Sequence, residues 1–265
     1  MRIIAIANQK GGVGKTTTAV NLAACLARNG HRTLLIDLDA QCNATTHSGK
    51  EVPDSETETS YALISDKQPE LKRLIKPIGP NWSLIPAHIA LAEIDIKLFS
   101  MMNREARLKK ALETVENDYD YVVIDCSPSL SITTVNALVA ATHTVITIQT
   151  NWFAYEAIKR LMTIIGDVVD ESNPDLVTYA LATMHRKNVN INEDVLKQIR
   201  EDFGALTFDA VIPYTATLAE ASVAKQPICD YADGSKAHIA YEAVMKELIS
   251  RVETNAEITQ ISHNA

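Results

Sequence analysis

The sequence has no long apolar run. No stretch of its 265 residues approaches the roughly 18 consecutive apolar residues that a membrane-spanning helix requires. The first apolar stretch breaks at Asn8, which is too early for the apolar region of a secretory signal peptide. We therefore expect a cytoplasmic protein that contains no membrane segment.

Cysteine is scarce, and the sequence contains no closely spaced cysteine pair. This pattern indicates free thiols in a reducing cytosol rather than disulfides or a zinc site. The four cysteines lie far apart along the chain, at Cys25, Cys42, Cys126 and Cys229.

An excess of basic residues is also missing, because the formal net charge is −8. This balance excludes a globally basic nucleic-acid binder, although it leaves room for a local basic patch. The apolar content of 46% is ordinary for a globular protein and sufficient for a core. The sequence shows no internal repeat and no low-complexity tract.

Glycines cluster between a predicted strand and a predicted helix near the N-terminus. An apolar run over residues 3–7 predicts a buried strand, and helical spacing continues from about residue 16 to residue 28. Between them, NQKGGVGKTT at residues 8–17 has the context of a phosphate-binding loop. Glycines allow successive backbone N–H groups to point at one anion, and the helix adds its positive dipole end. A purely structural glycine turn is the alternative, and it is disfavoured because Lys15 and Thr16 follow the last glycine.

This loop supplies the candidate nucleotide-binding residues. The Lys15 ammonium can reach the β- and γ-phosphates of a nucleotide, and the Thr16 hydroxyl can ligate Mg²⁺. We therefore expect ATP and Mg²⁺ as cofactors. Contacts to the nucleotide are predicted for Lys10, Gly11, Gly12, Val13, Gly14, Lys15, Thr16 and Thr17.

Carboxylates end two further predicted strands. The run over residues 32–37 ends at Asp37 and is followed by Asp39, and the run over residues 119–125 ends at Asp125. Carboxylates at the C-terminal ends of parallel strands face the ligand crevice of an α/β sheet. Asp125, which precedes a turn, fits the carboxylate that holds the water shell of Mg²⁺. For Asp37 and Asp39, a pair of aspartates that only cap the strand end is the alternative.

Strands and helices alternate along the whole chain. This alternation predicts an α/β fold with one doubly wound, mostly parallel sheet flanked by helices, as in P-loop NTPases. Residues 1–252 are expected to form a single domain, and residues 253–265 a polar C-terminal tail. Other strands are predicted over residues 82–86, 144–149, 177–184 and 208–213, and helices over residues 89–99, 106–115, 152–168 and 237–252, with a surface loop over residues 46–60.

The phosphate loop departs from the usual pattern in a way that resembles one family. Gln9 occupies the position of the usual first glycine, and Lys10 follows it. KGGVGKTT resembles the deviant Walker A box of the ParA/MinD superfamily. Residues 37–45 resemble its switch I segment DxDPQxNxT, with Ala40 in the place of proline, and residues 125–128 resemble its switch II segment DxxP. The most similar group is the ParA/Soj branch of partition ATPases.

The resemblance continues through the C-terminal half and covers nearly the whole chain. Residues 218–228 resemble the family block LxEAxxxGKPI, with Ala224 in the place of its glycine. In the family, the loops after the last two predicted strands flank the adenine. Met184 and Pro213 are therefore implied as contacts to the base.

The resemblance also implies catalytic and metal-binding roles. Lys10 would reach across a nucleotide-sandwich dimer to the partner's phosphates, and Asp39 would position or activate the attacking water. The implied catalytic residues are Lys10, Lys15 and Asp39. The implied metal-binding residues are Thr16, Asp39 and Asp125.

A ParA/Soj-type protein is implied to be a slow, Mg²⁺-dependent ATPase that forms an ATP-dependent homodimer. The ATP-bound dimer would bind DNA without sequence preference and so associate with the nucleoid. A ParB-like or other cargo-adaptor protein would stimulate hydrolysis. The resulting cycle would segregate a plasmid or a chromosome, or position another large cargo.

The sequence lacks two arginines that this DNA-binding expectation would use. Tyr214 and Thr217 stand where many chromosomal members carry arginines that grip DNA. Phosphate binding needs several cations on one face. The remaining basic candidates for DNA binding are Arg186, Lys187 and Lys225, with Lys159 and Arg160 as further candidates.

Two alternative functions use the same fold. A MinD-like membrane-cycling ATPase needs a basic amphipathic C-terminal helix, and residues 255–265 contain no lysine or arginine. A metabolic P-loop enzyme remains open as the second alternative, although the switch I match favours partition.

Overall fold

The computed structural model describes residues 1–156 and 158–263, except the side chains at positions 154, 156 and 254–263, and it contains a seven-stranded sheet. The strand order is β3-β4-β2-β5-β1-β6-β7, and every neighbouring pair is parallel except β3 and β4. The strands are β1 (Arg2–Ala7), β2 (Thr33–Asp37), β3 (Lys76–Gly79), β4 (Trp82–Ile85), β5 (Tyr121–Asp125), β6 (His143–Gln149) and β7 (Val177–Thr183).

Helices cover both faces of the sheet, which confirms the predicted doubly wound α/β fold. The α-helices are α1 (Lys15–Arg28), α2 (Asn43–His47), α3 (Ser60–Ser65), α4 (Leu71–Leu74), α5 (Ile94–Leu98), α6 (Arg107–Leu112), α7 (Ile132–Ala140), α8 (Trp152–Glu156), α9 (Ile158–Glu171), α10 (Asn190–Phe203), α11 (Ala216–Val223), α12 (Ile228–Tyr231) and α13 (Lys236–His263). None of these helices, within the described residues, has the length and apolarity needed to cross a bilayer.

Two hydrophobic cores lie on opposite faces of the sheet. Alternate residues of β1 divide between them, because successive strand side chains point to opposite faces. One core is formed with α3, α4, α5, α6, α7, α9 and α10, and the other with α1, α2, α11, α12 and α13. Since β1, β2 and β5 are covered on both faces, their sequences are nearly continuous apolar runs, which is why they were predictable.

The pairing of β2 with β5 positions the active-site edge of the sheet. These parallel strands align Asp37 with Asp125, so the two strand-end aspartates are direct neighbours. β1 lies on the other side of β5 and leads into the glycine-rich loop. The register therefore brings the predicted loop and both predicted carboxylates to one edge, as parallel strands require.

The prediction of a last strand over residues 208–213 is wrong. The segment runs alongside β7, where Phe208 and Ile212 donate to the carbonyl oxygens of Ala180 and Ala182, both at 2.9 Å, but it forms only isolated bridges. The backbone N–H groups of Asp209 and Ala210 bond to the carboxylate of Glu247, at 2.9 and 3.1 Å. Because Ala210 donates to α13, the bonds to β7 are interrupted between Phe208 and Ile212.

Several other boundaries differ from the predictions. The short edge strand β3 and the long helix α10 were not predicted. The expected loop over residues 46–60 begins within α2 and contains a 3₁₀ turn at Glu56–Glu58. Helix α13 continues past the predicted helix end at Val252 without a break.

Candidate active site

The phosphate loop joins β1 to α1 and is fixed to the sheet by side-chain hydrogen bonds. Asn8 donates from Nδ2 to the carbonyl oxygen of Thr147 at 2.7 Å and accepts from the backbone N–H of Lys10 at 2.8 Å. Thr183 donates from Oγ1 to the carbonyl oxygen of Val13 at 2.8 Å. The loop is therefore held by β6 and β7, so its N–H groups are preorganised.

Left-handed backbone shapes this loop. Gly12 has a φ of 73°, and Gly14, the N-cap of α1, has a φ of 88°. A side chain would be strained at both positions, so the loop needs glycine there. The arrangement presents the start of a 14-residue helix toward the crevice, where its dipole favours an anion.

Lys15 is a cation held at the floor of the site. Its side chain is almost fully buried, and Nζ donates to the carbonyl oxygen of Lys10 at 3.2 Å. Burial lowers the pKa of Lys15, and the nearby Asp125 carboxylate opposes this shift. A buried ammonium beside open backbone donors is well suited to bind phosphate oxygens.

Asp37 and Asp39 differ in their surroundings, although both follow β2. Asp37 accepts from the backbone N–H of Asp39 at 3.1 Å and from the N–H and hydroxyl of Thr45 at 2.8 and 2.7 Å. Burial raises the pKa of Asp37 to about 6, and the bonds from Thr45 oppose the rise. Asp37 thus holds the loop that follows β2. This is a structural role, as in the alternative interpretation in which the aspartates only cap the strand end.

Asp39 is the carboxylate of this pair that can act on a ligand. Its Oδ1 accepts from the backbone N–H of Gln41 at 3.0 Å, and its other oxygen has no hydrogen-bond partner in the described part of the chain. It lies close enough to Lys15 and Asp125 to affect their pKa values. The structure therefore brings Asp39 to the phosphate loop, where a free carboxylate oxygen can accept a proton or orient a water.

Asp125 has the features of a cation ligand. Both carboxylate oxygens are buried, and neither receives a well-formed hydrogen bond from the part of the chain that the structure describes, although the Thr16 hydroxyl lies near enough to favour the ionised form. Burial raises the pKa of Asp125 well above its usual range, and the neighbouring Asp37 adds to the rise. Buried charges of this kind are normally paired or bound to a metal.

The residues around Asp125 fit Mg²⁺ better than a metal held by protein ligands alone. No group of three or more His, Cys, Asp and Glu side chains that could hold a metal occurs among the described residues. Mg²⁺ commonly uses one or two protein oxygens and completes its shell with water and substrate phosphates. Asp125 and the Thr16 hydroxyl, at the mouth of the phosphate loop, supply such a set.

A cavity of about 280 Å³ opens beside the start of α1. Met184 and Pro213, the predicted base contacts, both line it together with Thr17 and Tyr241. Met184 has a φ of 52°, so the chain turns sharply as it leaves β7. The cavity is apolar over most of its wall, which suits the flat face of a nucleotide base.

Comparisons with known proteins agree with this geometry. A family described as "AAA domain" matches residues 1–178. The sporulation initiation inhibitor protein Soj of Bacillus subtilis is 40% identical over 248 residues, which cover 93% of this chain and 98% of Soj. The chain belongs to the ParA/Soj family.

A second ParA/Soj relative and one solved structure support the assignment. The chromosome partitioning protein ParA of Caulobacter vibrioides is 39% identical over 254 residues, or 95% of each protein. Cobyrinic acid a,c-diamide synthase from Mycobacterium smegmatis, solved with ADP and magnesium, is 32% identical, with a TM-score of 0.80 over 96% of both chains. The names of Soj and ParA concern sporulation and chromosome partition, whereas the synthase is a metabolic enzyme.

Three of the DNA-binding candidates of this ParA/Soj protein lie in two separate loops, and the other two, Lys159 and Arg160, lie in α9. Arg186 and Lys187 follow β7, and Lys225 follows α11. The Arg186 guanidinium carbon is 4.0 Å from the ring centroid of Tyr214, which lines the cavity beside α1, so the two side chains form a cation–π contact. Arg186 therefore already has an aromatic partner, supplied by the residue that stands in the place of the family's arginine.

The glycine of the family block LxEAxxxGKPI is replaced by Lys225, not by Ala224 as predicted. Lys225 has a φ of 57°, in the left-handed region, whereas Ala224 has a φ of −72°. The position of the left-handed turn identifies where glycine belongs. The sequence comparison was therefore wrong by one residue at this point.

Sequence reasoning did not assign the residues that fix the site. Asn8 and Thr45 stand within the quoted motifs, but no role was given to either. His47 was also missed, and its Nε2 lies 3.1 Å from the carbonyl oxygen of Gln226. This contact joins the segment after β2 to the loop after α11. The two residues lie far apart in the chain, and no local sequence pattern predicts that they meet.

Proposed function

We propose that the chain is a Mg²⁺-dependent ATPase that works as a partition or positioning switch. The observation that carries the proposal is the buried Lys15 ammonium beside Asp125, whose carboxylate oxygens receive no well-formed hydrogen bond from the described residues. A buried cation and a buried anion facing one glycine-rich loop match the two charges of a metal nucleotide. The names of Soj and of the Caulobacter relative support the partition role, and the Mycobacterium structure supports the cofactors.

Each side chain has a distinct task in this proposal. The N–H groups of the loop and Lys15 bind the phosphates, while Thr16 and Asp125 hold the metal ion. Mg²⁺, when bound, neutralises charge on the phosphate oxygens. Asp39 orients the attacking water with the carboxylate oxygen that Gln41 does not bond, and it would be a further oxygen ligand available to the metal ion. Met184 and Pro213 contact the base.

Lys10 acts on the nucleotide of a second subunit. Lys15 already supplies the lysine that acts within its own subunit, and Lys10 has no ion pair within the described part of the chain. Two ATP-loaded subunits placed face to face bring each Lys10 toward the partner's phosphates, where it offsets the repulsion between two polyanions. ATP therefore promotes a homodimer, and hydrolysis dissolves it.

DNA binding and partner stimulation complete the proposed cycle. The basic candidates are few and the net charge is −8, so pairing of two subunits is needed to build a patch that binds DNA phosphates. A ParB-like or other cargo-adaptor protein accelerates hydrolysis and so releases the dimer. The ATP-bound form is then cytoplasmic and associated with the nucleoid.

Nucleotide titration tests the enzymatic part. Calorimetry with ATP and Mg²⁺ is expected to show one site per subunit, and Lys15→Ala is expected to abolish binding without lowering the melting temperature. Lys187→Ala, an exposed lysine outside the cavity, is the matched control and should bind normally. Unchanged affinity in Lys15→Ala would overturn the assignment of the phosphate loop.

A gel-shift assay tests the DNA-binding part. Unrelated duplexes should bind equally in the presence of ATP and Mg²⁺, and binding should weaken steeply between a low and a high salt concentration. Equal binding by the nucleotide-free protein would contradict the proposed dimer patch. Product formation with a small-molecule amide donor, without any DNA binding, would favour the metabolic alternative instead.

A further inference from the structure

A large groove lies on the face of the sheet opposite α1, away from the nucleotide site. Its volume is about 860 Å³, and it separates the segment after α3 from the segment that joins α5 to α6. We refer to it as the α3–α6 groove. The lining residues that matter most are Lys67, Pro69, Met101, Met102, Arg107 and Lys110.

Two methionines give the lining of the α3–α6 groove an apolar, adaptable part. Met101 is partly buried, and the side chain of Met102 is 88% exposed. Phe99 and Ile96, close by in sequence, are 79% and 80% exposed. Methionine fits partner side chains of many shapes, and exposed apolar residues grouped in this way are typical of interaction sites.

The walls of the groove are positively charged. The side chains of Lys67 and Lys110 have no ion pair or hydrogen bond with the described residues. The Arg107 guanidinium bonds to the carbonyl oxygens of Ile64, Ser65 and Asp66, and no carboxylate of the described residues pairs with it. Among the described residues, Asp66 alone adds a carboxylate to the lining of the groove. The protein has a net charge of −8, so the excess of cations along this groove favours an anionic partner there.

We propose that the α3–α6 groove binds a short peptide segment of a partner protein that combines acidic and aliphatic side chains. The aliphatic side chains would pack on Met101 and Met102, and the carboxylates would pair with Lys67 and Lys110. Duplex DNA fits less well, because a rigid phosphate backbone leaves Met101 and Met102 of a concave groove unused. Electrostatic complementarity thus sets the chemistry of the occupant.

Both walls of the groove are bonded to segments that carry active-site carboxylates. Ser60, at the start of α3, donates from Oγ to the carbonyl oxygen of Asp37 at 2.5 Å. Asp95, in α5, accepts from the backbone N–H of Ile132 at 2.9 Å, where α7 begins after the turn that follows Asp125. An occupant that moves either wall therefore changes the rate of hydrolysis, and this consequence rests on the proposed function.

Peptide selection tests the occupant directly. A random peptide library displayed on phage is selected on the wild-type protein and counter-selected on Lys110→Glu. The expected result is enrichment of sequences that alternate Asp or Glu with Leu, Ile or Val. Failure to enrich any sequence, or enrichment of basic sequences, overturns the proposal.

Fluorescence anisotropy with an enriched, labelled peptide then locates the site. Lys110→Glu is expected to weaken binding at least about tenfold, because charge reversal places like charges together. Lys109→Glu is the matched control: this neighbour in α6 is exposed but does not line the groove, so affinity should stay within about twofold. Equal affinity in Lys110→Glu and the wild type, or displacement of the peptide by duplex DNA at the same site, contradicts the assignment.

The regulatory consequence has its own readout. Addition of the peptide should change ATP turnover by the wild type and by Lys109→Glu but not by Lys110→Glu. If no variant hydrolyses ATP, the proposed function fails, while the anisotropy result still decides whether the groove binds the peptide. If ATP is hydrolysed and the bound peptide leaves the rate unchanged, the link between the groove and the active site is wrong.

Discussion

The Lys15 ammonium donates to the backbone carbonyl of Lys10 at 3.2 Å, so the two lysines of the phosphate loop occupy different environments. Lys15 is almost fully buried, whereas Lys10 is partly exposed. The carbonyl of Lys10 turns inward to Lys15, and its side chain is left without an ion pair among the described residues. This difference fits the proposed roles, in which Lys15 binds the nucleotide of its own subunit and Lys10 acts on the nucleotide of the partner subunit.

Lys10→Ala should keep ATP binding and lose ATP-dependent dimerisation. Lys15 still binds the phosphates within the subunit, but nothing offsets the repulsion between two nucleotides at the interface. Analytical ultracentrifugation with and without Mg²⁺ and ATP measures the dimer, and calorimetry measures binding. Lys15→Ala is the contrasting variant, because it should lose both properties. A normal ATP-dependent dimer of Lys10→Ala would remove the support for a role across the interface.

Asp39→Ala should bind ATP within about twofold of the wild type and hydrolyse it roughly a hundredfold or more slowly, as expected when a group that orients or deprotonates water is lost. The protein should accumulate as an ATP-bound dimer. Single-turnover hydrolysis, followed by release of phosphate, measures the change. Wild-type turnover would show that the water is positioned by another group.

Asp37→Ala serves as the comparison for Asp39→Ala, because the structure gives the two aspartates different roles. Loss of the Asp37 carboxylate leaves the buried N–H and hydroxyl of Thr45 without their acceptor. We expect destabilisation of about 1–3 kcal/mol from the unpaired groups, visible as a lower midpoint in urea. If Asp37→Ala were as stable as the wild type, its assigned structural role would be wrong.

Lys225→Gly should stabilise the protein by about 1 kcal/mol, because glycine adopts left-handed backbone without steric strain. Lys225 has a φ of 57° and an exposed side chain, so little packing is lost. The adjacent Ala224→Gly is a matched control with φ of −72° at the end of α11, and it should be neutral or destabilising. Urea unfolding of both variants measures the difference. Equal effects of the two substitutions would argue against strain at Lys225.

His143 should make the protein sensitive to acid. The ring is buried and stacks on Tyr179, with centroids 5.9 Å apart, and Nε2 has no hydrogen-bond partner among the described residues. Burial, assisted by the nearby Arg2, lowers the pKa of His143 from 6.5 to about 4. Between these values the unfolded chain binds a proton that the folded chain does not, so stability falls as pH falls.

The free energy of unfolding should fall by roughly 3 kcal/mol as the pH is lowered from 6.5 to 4. Above pH 6.5, His143 should cause no such loss. His143→Gln cannot titrate and should flatten this part of the curve. Buried carboxylates such as Asp37 titrate in the same range with the opposite sign, so the difference between wild type and variant is the quantity to measure. His31→Gln, at a partly exposed histidine, is the control. Parallel pH curves for wild type and His143→Gln would refute the prediction.

The sequence alone determined the central strands, the phosphate loop and the carboxylates that face it. β1, β2 and β5 are buried on both faces, so burial shows directly as apolar runs. The ends of parallel strands meet at one edge of the sheet, so Asp37, Asp125 and the loop at residues 8–17 were expected together. These features depend on local pattern and on a general rule of topology.

The tertiary structure decided which chemical group each residue meets. Asp37 and Asp39 look equivalent in sequence, but Thr45 bonds only to the first of them. Residues 208–213 have the pattern of a strand, yet Glu247 in α13 takes two of their donors. Arg186 meets Tyr214, and the left-handed turn falls at Lys225. Each outcome depends on which side chains meet in three dimensions or on a backbone angle, and a local run of residue types specifies neither.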